Sequence, residues 1–357
     1  MVESVEKYTV HGLTLSYFTG KLEAYFRAKG LPYRFVEMDM RDFRKCAKAT
    51  GIAQMPQVET PQGAWLTDTT AIIKRLEEEA TGPRLHSTDP ATRFLSLLLE
   101  DLFDEWYWRP ALYYRWAFDQ DMQLMSSQIA NTLLRDMPLP FFFRRQFILR
   151  RQRTVFLKQD GVTRTTAPHI EALYLNALKV LEPVFKKRPF LLGDRPCEAD
   201  FGLMGPFFRH FFSDPTPAWI MRREAPHIAH WVTRMWALTP NDIKNASEIE
   251  TIPDDLGYFF DLFGNEYLPY LEANADACAH GRKNIAYTAN AVAWDLPTAP
   301  YRVHCLNELK SAFMALDDGG KEKVSATIGA AQCARLSVAA TPIVDNKHKP
   351  VRDRLLR

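Results

Sequence analysis

Cysteine is scarce in this chain: five residues in 357, at positions 46, 197, 278, 305 and 333, odd in number, far apart and never in a C-x-x-C pair. That pattern excludes a disulfide framework and the usual spacing of a structural zinc site, and it points to a reducing compartment. Charge of one sign is lacking too. Lys plus Arg number 45 against 43 Asp plus Glu, so the global field gives no reason to expect nucleic acid as a partner. No stretch approaches the ~18 apolar residues that span a bilayer, and the opening MVESVEKYTV has no charged-then-apolar leader. A cytoplasmic protein is the expectation, with membrane contact at most peripheral. The histidines show no ligand pattern: His227 and His230 stand three apart but no third ligand can be placed beside them, so no metal is expected.

What is present falls into three compositional zones, placed at residues 1–82, 89–243 and 244–357. The first alternates strand and helix: Tyr8–Leu15 reads as a strand, Lys21–Lys29 as a helix ended by Gly30, Tyr33–Met38 as a strand, and Arg41–Ala49 as a helix stopped at Gly51. Gln57–Glu59 and Ala64–Leu66 then read as a hairpin turned at Pro61-Gln62-Gly63, and Thr70–Glu79 as a last helix. The order βαβαββα is α/β with a mixed sheet. The second zone is almost wholly helical, and Pro110 interrupts or kinks its first long helix. Within it, residues 141–153 (FFFRRQFILRRQR) are basic and apolar together, the pattern of a helix on a membrane surface and equally of a solvated, partly packed helix. The third zone has further helices (Leu256–Ala273 and Tyr301–Leu316), a polar stretch between them able to form short strands, and a basic tail of some twenty residues expected to be disordered.

Two segments of the first zone carry chemistry together. Ala53-Gln54-Met55-Pro56-Gln57 sets a proline just before a strand, where it costs the sheet a donor unless that edge serves a ligand. Eleven residues after Pro56, Thr67-Asp68-Thr69 leads into a helix, whose positive end attracts an anion and whose first amides need a cap.

The stretch MPQVETPQGAWLTDTTAIIKRLEE resembles the glutathione-site segment of glutathione transferases. The resemblance implies a thioredoxin-like glutathione-binding domain followed by an all-α domain, and the third zone becomes a mostly helical extension. It also implies that Pro56 is cis, that Gln54, Met55 and Pro56 meet the cysteinyl backbone of glutathione, and that Asp68 and Thr69 hold its γ-glutamyl end. FLLGDRPCEAD, at 190–200, is similar to the family's helix-capping segment, with Cys197 where Ser or Thr is usual. A thiol accepts poorly, so that cap should rest on Asp200.

The group that activates the glutathione sulfur should lie between the first strand and helix. Counting back from Gly30, Ser16 falls where omega-like members carry cysteine and zeta-like members serine; Tyr17, followed by Phe18, resembles the Tyr-Phe pair of the tyrosine-type classes. Either hydroxyl suffices in principle, since lowering a thiol pKa from ~8.5 by two units takes only about 2.7 kcal/mol. No cysteine occupies the loop, which argues against a mixed-disulfide mechanism. Glu23 stands where many transferases have a basic residue, and KLEAYFRAKGLPY resembles the metaxin and failed-axon-connections branch, some of whose members have no established transferase activity. Residues 213–217, 231–235 and 268–271 resemble a long bacterial transferase-like subgroup.

The electrophile pocket is expected along residues 104–116, with Trp106, Arg109 and Tyr113 as its walls, although an aromatic-rich helix of this kind also packs as core. The leading expectation is therefore an enzyme that uses glutathione as co-substrate, its thiolate attacking a small, largely hydrophobic electrophile in a homodimer. The alternative is a non-catalytic, metaxin-like binding or assembly protein on the same fold.

Overall fold

The computed structural model describes residues 7–79 and 82–340. The basic tail expected to be disordered lies largely outside them. Strand β1 (Tyr8–Gly12) occupies the middle of a four-stranded sheet, parallel to β2 (Tyr33–Glu37) and antiparallel to β3 (Gln57–Glu59), which pairs antiparallel with β4 (Trp65–Thr67). Helices α1 (Tyr17–Lys29), α2 (Met40–Thr50) and α3 (Thr69–Glu78) complete a thioredoxin-like unit. Local chemistry sets the ends of these elements. Gly30 and Gly51 take the left-handed backbone (φ 69° and 76°) that closes α1 and α2. Asp39 and Asp68 accept from the first amides of α2 and α3.

The helical part opens with α4 (Pro90–Asp101), capped by Asp89. Residues Leu102–Trp106 then widen into a π-helical turn before α5 (Trp108–Ala117). The cause is Pro110: it has no N–H to offer the carbonyl four residues back, so the turn ahead of it relaxes instead of breaking the helix. Helices α6 (Asp119–Asn131) and α7 (Phe141–Arg151) follow, then a long helix at Ala167–Lys187 and another at Glu198–Pro206. At the last of these the cap is as the sequence implied. Asp200 Oδ2 accepts from the Cys197 amide at 3.1 Å, and the Cys197 thiol donates to the same oxygen at 3.4 Å. Asp200 Oδ1 takes the Leu191 amide (3.0 Å) and the Trp231 indole (3.1 Å), so one buried carboxylate ties three segments.

The extension adds helices at Leu268–Ala279 and Pro300–Met314, separated by a hairpin of Asn284–Ala289 and Val292–Pro297. Its turn residues Asn290 and Ala291 both have positive φ, as a tight hairpin with right-handed strand twist requires. One apolar cluster runs from the sheet through α4 and α5 into the extension. A second lies between α2 and the α5–α7 helices, around Phe43, Trp116, Ile129 and Ile148. Among the described residues no helix is long and apolar enough to cross a membrane.

Glu198, 5% exposed, accepts from the Ser96 hydroxyl at 2.8 Å, and burial pushes its carboxyl up to about 7 despite Arg93 at 3.3 Å. A raised folded pKa means that the native state binds the extra proton. The stability this gives is full below the unfolded value of ~4.3 and is lost as pH rises through 7. Glu198→Gln keeps the acceptor and removes the titration. In denaturant unfolding, the stability difference between variant and parent should move toward the variant by about 2 kcal/mol from pH 5 to pH 8. A pH-independent difference would remove this assignment.

Candidate functional site

The two segments singled out in the sequence converge. Gln54, Met55 and Pro56, ahead of β3, and Asp68 and Thr69, at the start of α3, line one cleft, together with Phe18, Thr70, Asp104, Glu105 and Tyr301. The Met55–Pro56 bond is cis. The last ladder pair on that side is His11↔Gln57, so Met55 presents its backbone beyond the sheet's own pairing. Asp68 sits at φ 74°, unusual for a residue with a side chain. That twist lets Oδ1 cap α3 by accepting from Thr70 (3.1 Å) and Ala71 (3.4 Å). Gln54 Nε2 donates to the Thr67 hydroxyl at 3.1 Å, joining the two segments.

Between α1 and the helical part lies a buried charge cluster that sequence reading missed. The Lys21 ammonium, fully buried, pairs with both Glu100 and Asp104 and donates to Thr70 Oγ1 at 3.2 Å. Thr70 in turn donates to Glu100 at 2.6 Å. The two carboxylates raise the lysine pKa against the opposing cost of burial, so it stays charged. Burial pushes the Asp104 carboxyl well up, opposed by Lys21 and reinforced by Glu100. Its second oxygen, Oδ1, is buried without a hydrogen-bond partner beside the cleft. Glu23, the acid that stood out in the sequence, has a structural task instead: it pairs with Arg209 at 3.1 Å and accepts from Tyr33 at 3.1 Å.

The loop before α1 separates the two hydroxyl candidates. Ser16 is half-buried at the N-cap of α1, its Oγ accepting from the Thr19 amide at 3.4 Å, outside the residues that line the cleft. Tyr17 is 1% exposed, packs on Gly205, Trp108 and His210, and donates its hydroxyl to the Phe103 carbonyl. Tyr17 is therefore a core residue bridging α1 to the π turn, and its phenol is pushed well up by burial. The side chain this loop sends into the cleft is Phe18.

Two of the three expected electrophile walls are core, and the third is half-buried. Trp106 is fully buried against Tyr267, Tyr270 and Trp294 of the extension. Arg109 is 2% exposed, its guanidinium over the rings of Trp106 (4.2 Å), Tyr270 (4.7 Å) and Trp294 (5.7 Å). Tyr113 donates to Glu171 at 3.1 Å, away from the cleft. The extension supplies the partners that Trp106 and Arg109 need, so these two pack in the core.

That extension also reaches the cleft. Tyr301, at the start of its long helix, donates to Asp68 Oδ2 at 2.8 Å across 233 residues of sequence. The next residue, Arg302, pairs with Glu105 at 3.0 Å and donates to the Tyr270 hydroxyl at 3.2 Å. With Tyr301 in place the cavity measures about 30 Å³, against ~300–1,000 Å³ for small-molecule sites.

If Arg109 is a packing residue, Arg109→Ala should cost about 3 kcal/mol in unfolding, through lost ring contacts and a cavity. Glutathione affinity should stay within about twofold on the same argument. Weakened binding at unchanged stability would return Arg109 to the site.

Two family models match the chain: the glutathione S-transferase N-terminal domain over residues 10–84 and the glutathione S-transferase C-terminal domain over residues 158–238. Among solved structures, the chain is similar to the β-etherase LigF from Sphingobium sp. strain SYK-6, at 18% identity over 66% of this chain and 96% of that one, TM-score 0.46. It is similar also to a glutathione S-transferase from Sinorhizobium meliloti 1021, at 17% identity over 66% and 90%, TM-score 0.43. A third is a glutathione S-transferase from Methylobacterium radiotolerans in complex with glutathione sulfonate, at 18% identity over 69% and 98%, TM-score 0.41. No curated protein matches the chain.

Proposed function

The chain belongs to the glutathione transferase superfamily, and from that premise we propose that it binds glutathione in the Met55–Asp68 cleft and uses the thiolate as nucleophile on a small, largely apolar electrophile. The observation that carries this reading is the convergence of Gln54, Met55, Pro56, Asp68 and Thr69 on one cleft. An extended peptide laid there pairs its cysteinyl backbone with Met55. Its γ-glutamyl carboxylate meets Thr69 at the start of α3, and its ammonium meets Asp68.

Ser16 is the group assigned to the sulfur. Its Oγ accepts from the Thr19 amide, which leaves the hydroxyl proton free to be donated to a thiolate at the positive end of α1. The thiol proton leaves to solvent, and the sulfur then attacks the electrophilic carbon. Conjugation, ether cleavage, isomerisation and dehalogenation all begin with this step. A second reading, binding without turnover, is favoured by one feature: Phe18 and the carboxylates Asp68, Asp104 and Glu105 face the cleft, a setting that disfavours an added anion.

Calorimetry with glutathione up to millimolar concentration decides first. Heat of binding is expected, and its absence sinks both the site and the chemistry. Asp68→Asn keeps the cap and tolerates the positive φ while removing the charge, and should weaken glutathione about tenfold. Ser16→Ala should raise the pKa of the bound thiol and lower kcat/KM at least tenfold, at ~1 kcal/mol of helix stability. An unchanged thiol pKa in that variant would leave the site and discard the assigned chemistry.

Tyr301 competes for Asp68 Oδ2. Tyr301→Phe should therefore tighten glutathione about fivefold, the worth of one ordinary hydrogen bond, and speed its association in stopped flow. Weaker binding would instead make the Tyr301 hydroxyl part of the glutathione site.

A further inference from the structure

Helix α7 wears its apolar side chains outward. Phe141, Phe142, Phe143 and Phe147 are 40%, 60%, 58% and 50% exposed, and among the described residues they are all of the exposed phenylalanines. Leu139 and Val155 extend the patch at its two ends. Only Ile148 of this helix enters the core, while two arginines lean inward: Arg144 donates to the Leu134 carbonyl at 2.9 Å and Arg145 to the Ser126 hydroxyl at 3.2 Å. Phe143, Phe147 and Arg150 stand on one exposed stripe at helical spacing, with Arg153 beyond. Folding by itself would turn such a helix the other way round.

Charge narrows the choice of partner. Between Asp136 and Asp160 lie five arginines and Lys158 and not one acid, in a chain whose overall balance is only +2. The segment also lies between the two stretches that match the family, so the family fold does not by itself require these rings. We propose that α7 docks in the plane of an anionic lipid surface, its phenyl rings entering the acyl boundary and its guanidinium groups meeting the headgroup phosphates. A helix with Phe on one flank and cations beside it has the composition that binds such interfaces. A second copy of the chain is the poorer occupant, because a two-fold contact would set a row of cations against itself. Single-stranded nucleic acid is poorer as well, since its stacking platforms lie in grooves and this helix is convex.

The test is co-sedimentation of the full-length chain with vesicles of phosphatidylcholine alone or with about 30% phosphatidylserine, at low and high salt. Binding to the anionic vesicles is expected, at least tenfold tighter than to the neutral ones and at least tenfold weaker at high salt. Phe142→Ser with Phe143→Ser should lose tenfold or more at either salt. Arg150→Gln with Arg153→Gln should lose about tenfold and flatten the salt dependence. Both pairs are exposed, so the unfolding midpoint and glutathione affinity should not move. Equal binding to the two vesicle types, or none to either, overturns the proposal. So does a phenylalanine pair that turns a dimer into a monomer and leaves vesicle binding intact, or an oligonucleotide that binds α7 more tightly than phosphatidylserine.

Discussion

The site depends on a single buried cation. Lys21 on α1 is held by Glu100 at the end of α4, by Asp104 on the π turn and by Thr70 on α3, so one ammonium joins the thioredoxin-like unit to the helical part at two points and ties α1 to α3. Removing either side of a buried pair costs about 3–5 kcal/mol, because the charge left behind has no solvent to fall back on. That magnitude exceeds what any exposed pair in the molecule contributes, such as Lys74–Glu308, which is worth ~0–1 kcal/mol. The cleft is the seam between these two parts. Its walls are therefore fixed wherever Lys21 fixes them, and Asp104 is brought there as a counter-ion with one oxygen to spare.

Pro110 governs the second wall. With a backbone donor at position 110, residues 102–106 would continue the α4 ladder, and a regular helix rotates each residue by about 100°. The wider π turn changes that rotation over five residues and brings Asp104 and Glu105 to the cleft, while Trp106 turns to the extension. A proline that reads in the sequence as an interruption thus sorts acids from aromatics.

The first eighty residues were legible because their signals are local: a cap at Asp68, glycines after α1 and α2, and a Pro-Gln-Gly turn each act within a few residues. The convergence of Met55 and Asp68 was legible for a related reason, since a hairpin of known length separates them. The aromatic run at 104–116 was ambiguous in principle. Whether such rings line a pocket or a core depends on what covers them, and the cover lies at Tyr267, Tyr270 and Trp294, more than 150 residues away. Tyr301 was invisible for the same reason: no periodicity marks a phenol that finds its acceptor across 233 residues. Lys21 was hidden differently. A lysine next to Leu22 in a helix reads as surface, and only the paired acids of α4 make its burial tolerable. Ser16 and Tyr17 are neighbours with nearly equal sequence credentials, and a rotation of one residue at the start of α1 sends one hydroxyl into the core.

The way a ligand enters follows from comparing the contacts that hold the extension. Arg302 pairs with Glu105 where both are largely buried, Tyr267 donates to Asp101 at 2.8 Å, and the Arg109 stack adds several ring contacts; displacing this set together would cost many kcal/mol. Tyr301, by contrast, is 42% exposed and holds Asp68 through one hydrogen bond, worth about 1 kcal/mol. Thermal energy breaks that bond readily while leaving its neighbour Arg302 in place. The extension is therefore a wall held by many contacts, and Tyr301 is its least firmly held side chain at the cleft. Turning Tyr301 outward would free Asp68 Oδ2, the oxygen proposed to meet the glutathione ammonium. The Phe18 end, where the sulfur would lie, keeps the shape that Lys21 and the π turn give it.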